Sequence, residues 1–304
     1  MVRTLRAPNP SPMTLDGTNG YVIDVGPGAL IAIDPGIDDP VHIDAFTQMA
    51  RDSNAQFVGI FVTHGHPDHY PGALALRRET GAPVFAHKAA TFAHDRPLED
   101  GARIAFEDAS LTVVYAPGHA RDHVVYWYAE DRALFTGDVV VGKGTVVIAP
   151  PSGDMRAYQA TLERLEREYG DAHTIYGGHG PTIRMPRAKL IEYIEHRKLR
   201  ERQIIAALET APATIPELTA SIYANVSDEL WPAAGRQILA YLIALQREGR
   251  IAAERMARAL TDDENYVLNP NLGGLAETMD LAVVRAELGF GAEPQPLIRF
   301  SLVT

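Results

Sequence analysis

The chain contains no cysteine in its 304 residues. This absence excludes disulfide bonds, thiol nucleophiles and thiolate-bound metals, so any metal must be held by nitrogen and oxygen atoms. Long apolar runs are also missing, since none approaches the roughly 20 residues that a membrane-spanning helix needs. We therefore expect no membrane partner. The N-terminal residues MVRTLRAPNPSPM lack the apolar core of a secretory signal, which favours a cytoplasmic location.

Positive charge is scarce as well. The chain has 28 Lys and Arg against 39 Asp and Glu, a formal net charge of −11. Residues 181–260 differ from the rest, because they hold 12 Lys and Arg against 9 Asp and Glu. Such a small surplus is far from the strong basic patch of a nucleic-acid-binding surface. It does indicate an acidic body joined to a mildly basic module.

The first 185 residues alternate short apolar runs with loops and a few amphipathic segments. Their β-branched and aromatic content and the flanking Gly, Pro and Asp predict strands. The predicted strands are 19–25, 29–35, 57–63, 83–87, 111–116, 124–129, 133–138 and 173–178. Helices are predicted at 40–52, 71–80 and 156–169. Many strands with interspersed helices indicate an α/β sandwich with sheets inside and helices outside.

The remaining residues have a helical pattern. Helices are predicted at 184–208, 214–223 and 233–250, the second with Thr214 as its N-cap. The short segments 251–256 and 264–269 are interpreted as a hairpin wing, which together with the helices predicts a winged helix-turn-helix. A last helix is predicted near 275–288, and the apolar end PLIRFSLVT shows no readable role.

The predicted domains follow from this change of pattern. Residues 1–185 would form a catalytic domain, 186–269 a winged-helix-like domain, and 270–304 a C-terminal extension. The fold class is therefore α/β, with a mainly α domain at the C-terminal side.

The segment THGHPDH, residues 63–69, concentrates three imidazoles and a carboxylate directly after a predicted strand. His64 and His66 stand two residues apart, so an extended backbone can direct both rings to one point. Pro67 then turns the chain, which lets Asp68 and His69 approach a second point. This spacing predicts two neighbouring metal sites.

At or just after the end of three other predicted strands stands a glycine followed by a residue that can bind metal. The pairs are Gly118-His119, Gly137-Asp138 and Gly178-His179. Glycine permits backbone conformations and close approaches that other residues cannot make. Binding groups usually lie in such loops on a rigid scaffold. We therefore expect these strand ends to meet at the rim that carries THGHPDH.

The motifs THGHPDH, PGH, GD and GGHG, in this order and spacing, resemble those of the metallo-β-lactamase superfamily. The resemblance covers residues 1 to about 185 and implies an αββα metallo-β-lactamase sandwich with a dinuclear site. The opening NPSPMTLDGTNGYVID (9–24) and the winged helix are similar to the β-lactamase-like protein 2 subgroup. That subgroup includes single-strand endoribonucleases and relatives that cleave acyl-carrier thioesters.

The resemblance also implies a ligand set. One metal would be held by His64, His66 and His119, and the other by Asp68, His69 and His179, with Asp138 bridging the two. Seven nitrogen and oxygen ligands suit two Zn²⁺, while iron or manganese would fit the same donors. Thr63, Tyr70, His123 and Tyr176 lie close to these ligands in sequence, and we interpret them as mainly structural.

The resemblance implies a dinuclear metal-dependent hydrolase that uses a metal-bridging hydroxide, with Asp68 orienting the nucleophile. The expected partner is a small ester or thioester substrate. Single-stranded RNA is the alternative, a mononuclear iron persulfide dioxygenase a third hypothesis, and a DNA-binding winged helix a fourth. A β-lactamase activity is not expected, because those enzymes generally lack a bridging carboxylate such as Asp138. A homodimer is compatible with the sequence.

Overall fold

The computed structural model describes residues 1–268 and 297–303, and these residues divide into two compact units. The first unit comprises Met1–Val146 and Thr161–Ile191. The second comprises Val147–Ala160 and Glu192–Thr304.

Two sheets form the centre of the first unit. The six-stranded sheet has the order β1 (Val2–Arg6), β2 (Asn19–Gly26), β3 (Ala29–Ile33), β4 (Gln56–Phe61), β5 (Val84–His87) and β6 (Arg96–Leu98). In this sheet β1, β2 and β3 pair in antiparallel fashion, whereas the strands from β3 to β6 pair in parallel. The five-stranded sheet has the order β11 (Thr174–Gly177), β10 (Ala133–Gly137), β9 (Val124–Tyr128), β8 (Ser110–Tyr115) and β7 (Arg103–Ala105).

The alternation of side chains along the strands explains why the sheets stack. In β2, Tyr21, Ile23 and Val25 enter the core between the two sheets, whereas Val22 faces the opposite side. That opposite side packs against helices α1 (Pro40–Asp52) and α2 (Pro71–Thr80). Successive residues of a strand point to opposite faces, so both faces of this sheet are apolar and buried.

The other sheet is covered by the C-terminal part of helix α3 (Met155–Tyr169). The Tyr169 ring lies 5.2 Å from that of Trp127, and the Thr161 hydroxyl donates to the carbonyl of Pro117. The layers are therefore helix, sheet, sheet and helix, which confirms the predicted αββα sandwich.

All eight predicted strands and all three predicted helices of this region are present, with ends that agree to within two residues. Three short strands, β1, β6 and β7, were not predicted. They have three to five residues and are partly exposed, so they show no apolar run in sequence.

Three further predicted helices occur as α4 (Pro186–Thr210), which belongs to the second unit from Glu192 onward, and as α5 (Ile215–Ile222) and α6 (Trp231–Arg247) of the same unit. Thr214 caps α5 as predicted. Its hydroxyl accepts from the backbone N–H of Glu217, whose carboxylate accepts from the N–H of Thr214. A 3₁₀ turn at Asp228–Leu230 precedes α6.

The predicted wing is wrong in its second strand. Residues Asp262–Leu268 form helix α7, not a strand. Thr261 and Glu264 exchange hydrogen bonds at its start, and three acidic residues occupy its first turn, all of which stabilises a helix N-terminus.

Strand β13 (Ile251–Arg255) pairs instead with β14 (Ile298–Leu302), so the apolar end PLIRFSLVT supplies the missing strand. The three-stranded sheet has the order β12 (Ala213–Thr214), β14 and β13. Part of the segment predicted as a separate extension thus lies in this sheet, whereas the helix predicted near 275–288 falls outside the described residues. The domain boundaries at 185 and 269 stay predictions.

Within the described part of the chain, no helix has the length and apolarity needed to cross a membrane.

Candidate metal centre

The seven predicted ligands lie together at one rim of the sandwich. The loop between β4 and α2 carries four of them, and the loops after β8, β10 and β11 carry one each. Their ligand atoms form three groups in which every atom lies within 4.8 Å of the others. These groups are His64, His66 and His119; His64, His69 and Asp138; and Asp68, His69 and His179.

The first group, His64, His66 and His119, consists of imidazoles that face one another. Nε2 of His119 lies 3.0 Å from Nδ1 of His66, and the His64 ring lies 4.5 Å from that of His66. Three nitrogen donors around one point are the ligands that a divalent transition metal takes in proteins.

The second group, Asp68, His69 and His179, includes a carboxylate and lies next to that of Asp138. Nε2 of His179 lies 3.3 Å from Oδ2 of Asp68 and 3.3 Å from Oδ1 of Asp138. Nε2 of His69 lies 3.5 Å from each of the same two oxygens. The other oxygen of Asp138, Oδ2, lies 3.7 Å from Nε2 of His119. One oxygen of Asp138 thus faces each group.

Several buried polar atoms at this rim have no hydrogen-bond partner among the described residues. They are Nε2 of His64, Nε2 of His69 and Oδ1 of Asp138. A buried polar atom without a partner costs free energy, about 1–3 kcal/mol. Three such atoms pointing to a common space fit bound cations, which would take their lone pairs. The residues present therefore fit a divalent-metal site.

The pKa values of the histidines differ between the two groups, being lowered at His64 and His66 and raised at His179. Burial, and then the neighbouring His69, hold the pKa of His64 well below its usual value, and burial with His119 lowers the pKa of His66 to about 3. Burial also opposes the charge on His179, but Asp138 and Asp68 raise its pKa to about 10. His64 and His66 are thus neutral and ready to bind a cation.

The carboxylates are held in the ionised form. Burial favours the neutral acid at Asp68, but His69 and His179 outweigh it and hold the pKa at about 2. The same kind of balance keeps the pKa of Asp138 well below its usual range, because His179 and His69 outweigh the effect of burial. Both groups are anions at neutral pH, the form that binds metal.

Asp34 is a residue of this site that sequence reasoning missed. Its Oδ2 accepts from Nδ1 of His69 at 2.9 Å and from the Thr63 hydroxyl at 2.6 Å. Its Oδ1 accepts from the Thr63 backbone N–H at 2.7 Å. Asp34 therefore fixes the orientation of the His69 ring and directs Nε2 into the cluster. Asp34 could have been found in the sequence from its place at the end of a predicted strand, just before Pro35-Gly36. The ligands also stand at or just after the ends of predicted strands.

Replacing Asp34 by asparagine tests this role. We expect metal affinity and turnover to fall by about 10- to 100-fold, because carboxylates that orient a ligating histidine have effects of this size. Chelator competition and steady-state kinetics measure the two quantities. Asp24→Asn, a partly exposed position on neighbouring strand β2, is the control. Unchanged affinity in Asp34→Asn would show that the carboxylate does not orient His69.

Two of the four neighbours that we interpreted as mainly structural contact the cluster. His123 is completely buried, its ring stacks on that of His64 at 4.6 Å, and its Nε2 accepts from the Asp138 backbone N–H at 3.1 Å. Thr63 holds Asp34. In contrast, the ring of Tyr176 stacks on Phe135 and that of Tyr70 on Phe92.

The glycines before Asp138 and His179 are required by close approach. Gly137 has φ of +46°, and a side chain there would collide with the Thr63 hydroxyl. A side chain on Gly178 would collide with Oδ1 of Asp138 and approach Cε1 of His69 to 2.8 Å. Any other residue would push the strand ends away from the ligands.

A two-sheet αββα sandwich with histidines and aspartates clustered at one rim defines a class of metal-dependent hydrolases. The sequence model of the metallo-beta-lactamase superfamily matches residues 13–179, and that of the beta-lactamase associated winged helix domain matches residues 214–258. The chain belongs to the metallo-beta-lactamase superfamily, and within it to the beta-lactamase-like protein 2 group. Members of the superfamily bind divalent metals, and this cluster offers the donors for them.

Named relatives agree with this assignment. The beta-lactamase-like protein 2 homolog of Drosophila melanogaster is 31% identical over 86% of this chain and 92% of its own length. A protein of Aspergillus chevalieri named atrochrysone carboxyl ACP thioesterase is 31% identical over 76% of this chain and 75% of its own. A metallo-beta-lactamase family protein of Thermus thermophilus shares the fold, with a TM-score of 0.68 at 22% identity over 83% of this chain and 95% of that one.

Proposed function

We propose that this protein is a dinuclear metal-dependent hydrolase of small thioesters and esters. The observation that carries the proposal is the placement of Asp138, whose two oxygens face two separate groups of histidines. A carboxylate in that position can be shared by two cations. The thioesterase name of the Aspergillus chevalieri relative supports the substrate class.

Each group would hold one metal. His64, His66 and His119 would bind the first, Asp68, His69 and His179 the second, and Asp138 both. When bound, such cations lower the pKa of a coordinated water to about 7 and polarise a substrate carbonyl. Zinc suits these nitrogen and oxygen donors, and the all-N/O set also admits iron or manganese.

The protein residues supply the remaining requirements of hydrolysis. Asp68 is ionised, and its side chain is 25% exposed, so it can orient a water and accept its proton at the mouth of the site. His64, His69 and Asp138 are buried and exclude bulk water from the interior side. Asp34 and His123 hold His69 and the Asp138 backbone in place.

A small substrate agrees better with the charge and packing of the chain than a nucleic acid. Outside residues 181–260 the formal net charge is −14, which repels a polyanion. In the winged-helix region, all residues of α6 from Pro232 to Leu245 are buried. A helix buried around its whole circumference offers no face to a DNA groove.

A substrate panel with metal analysis tests the proposal. Purified protein loaded with Zn²⁺, Mn²⁺ or Fe²⁺ is assayed on acyl thioesters, aryl esters, lactones, phosphodiesters and single-stranded RNA, with metal content measured in parallel. We expect about two metals per chain and fastest turnover of a thioester. Cleavage of RNA at low salt with no thioesterase activity would replace the proposal by the endoribonuclease hypothesis. One iron per chain with oxygen uptake on a persulfide would replace it by the dioxygenase hypothesis.

A further inference from the structure

The segment NPSPMTLDGTN, residues 9–19, carries a sequence signature that the proposed chemistry does not use. It joins β1 to β2 and runs beside the second group of ligands. The hydroxyl of Thr18, which is completely buried, lies 3.3 Å from Oδ2 of Asp68. This oxygen is the one that faces His69 and His179.

Asn9 determines the direction in which that hydroxyl donates. The backbone N–H of Thr18 donates to Oδ1 of Asn9 at 2.9 Å, which identifies that atom as the oxygen, and the Nδ2 amide group donates to the Thr18 hydroxyl at 3.0 Å. A hydroxyl has one proton and accepts with its lone pairs. Since Asn9 occupies a lone pair, the proton is left for Asp68.

The same segment holds the loop that carries His179. The carbonyl of Gly17 lies 3.4 Å from Nδ1 of His179, which directs Nε2 of that ring toward Asp68 and Asp138. The backbone N–H of Asn19 donates to the carbonyl of Gly178 at 2.7 Å. The Asn19 side-chain amide donates to the carbonyls of Gly177 and Gly180 at 3.1 and 2.9 Å. Residues 9–19 therefore contact two of the three ligands in the second group.

We propose that Thr18, oriented by Asn9, is a positioning residue that holds Asp68 Oδ2 at the second metal position. The proposal rests on the proposed two-metal function, and it concerns one of the two metals only. Without the Thr18 proton, the partly exposed Asp68 side chain is free to rotate toward solvent. His64 and His66 of the first group have no hydrogen bond to the segment among the described residues.

Thr18→Val keeps the shape of the side chain and removes the proton. We expect the second metal equivalent to bind about 10- to 100-fold more weakly, as for other groups that orient a metal ligand. The first equivalent should keep its affinity. On the best substrate of the panel, kcat should fall by a similar factor at saturating metal, with KM changed by less than about threefold. Stepwise titration of metal-free protein against a chromophoric chelator, with Co²⁺ absorption as a second readout, measures the two affinities separately.

Asn9→Asp is an independent variant that leaves Thr18 intact. The aspartate still accepts from the Thr18 N–H, but its second oxygen accepts where the amide donated, so the Thr18 proton turns from Asp68 to residue 9. We expect the same selective loss of the second metal. The added negative charge alone would strengthen cation binding, so a weaker second site cannot be attributed to charge.

Two controls complete the design. Thr18→Ser keeps a hydroxyl and should restore both affinities to within about threefold. Thr219→Val makes the same change at a completely buried threonine of α5, whose hydroxyl donates to the Ile215 carbonyl, and should leave both affinities unchanged.

The outcomes separate this inference from the proposed function. Equal weakening of both metals in Thr18→Val, or unchanged affinity for both, would overturn the positioning role. A wild-type protein that binds two metals but cleaves no ester or thioester would overturn the substrate proposal. The metal titration would still test whether Thr18 positions Asp68. A wild-type protein that binds only one metal would overturn both.

Discussion

Replacing Asp138 by alanine is expected to abolish whichever hydrolytic activity the protein shows, with a loss of at least about a thousandfold in kcat. Asp138 is the one ligand whose oxygens face both groups, so its removal affects both metals at once. It also takes from His69 and His179 one of the anions that support their charge in the metal-free protein. We expect metal content to fall below two per chain even after reconstitution.

The matched control is Asp131→Ala, which removes an exposed carboxylate from the turn before β10, the strand that ends at Asp138. Both variants lose one negative charge, so a general charge effect would appear in both. A folded circular-dichroism spectrum and a melting temperature near that of the metal-free wild type must accompany the result, because Asp138 is buried. Retained turnover in a folded Asp138→Ala variant with two metals bound would show that the ligand assignment is wrong.

Removing the metals is expected to have the second large effect, on stability as well as activity. A metal that binds only the folded chain at a concentration of about 1,000 times its Kd stabilises it by about 4 kcal/mol. For a unit of this size that corresponds to a melting temperature higher by roughly 10 °C. Calorimetry before and after chelation, with Zn²⁺ or Mn²⁺ returned, measures the shift. Reversible loss and return of activity on the same samples is the accompanying result.

The pH dependence of metal rebinding follows from the two raised pKa values. Burial lowers the pKa of His69 and His179, but Asp68 and Asp138 raise both above the usual value, so these rings carry protons in the metal-free protein at pH 7. A ligating imidazole must be neutral, so metal binding releases protons. The apparent affinity should therefore rise between pH 6 and 8, by roughly tenfold per pH unit for each proton released. A pH-independent affinity would mean that neither ring is protonated before binding.

The sequence alone predicted the sandwich and the residues of the metal-binding cluster, because both leave local patterns in the sequence. Strands such as 57–63 and 133–138 show continuous apolar runs, and a glycine next to a metal-binding side chain lies at or just after the end of each. Runs of this kind indicate a strand buried on both faces of a sheet, and the glycines indicate a close approach of the backbone to the site. The resemblance to the superfamily then supplied the pairing of ligands with metals.

The prediction of a second wing strand was wrong for a physical reason. Residues 262–268 were assigned by their apolar content, whereas Thr261 and Glu264 form a capping box that begins a helix. The true partner of β13 lies more than forty residues further along the chain, at Ile298–Leu302. No local pattern specifies a strand pairing over that separation, because the pairing depends on which edge remains free after the helices have packed.

The sequence by itself determined the elements of the catalytic unit, its donor residues and the absence of thiol chemistry, since these depend on residue type and short-range periodicity. Only the tertiary structure decided how the donors are held. Asp34 reaches His69 from a position 35 residues earlier in the chain, His123 supports Asp138 across the sheet, and Asn9 directs the Thr18 proton at Asp68. Hydrogen bonds between distant side chains depend on angles and distances of a fraction of an ångström, and these are set only when the two sheets and their loops pack together.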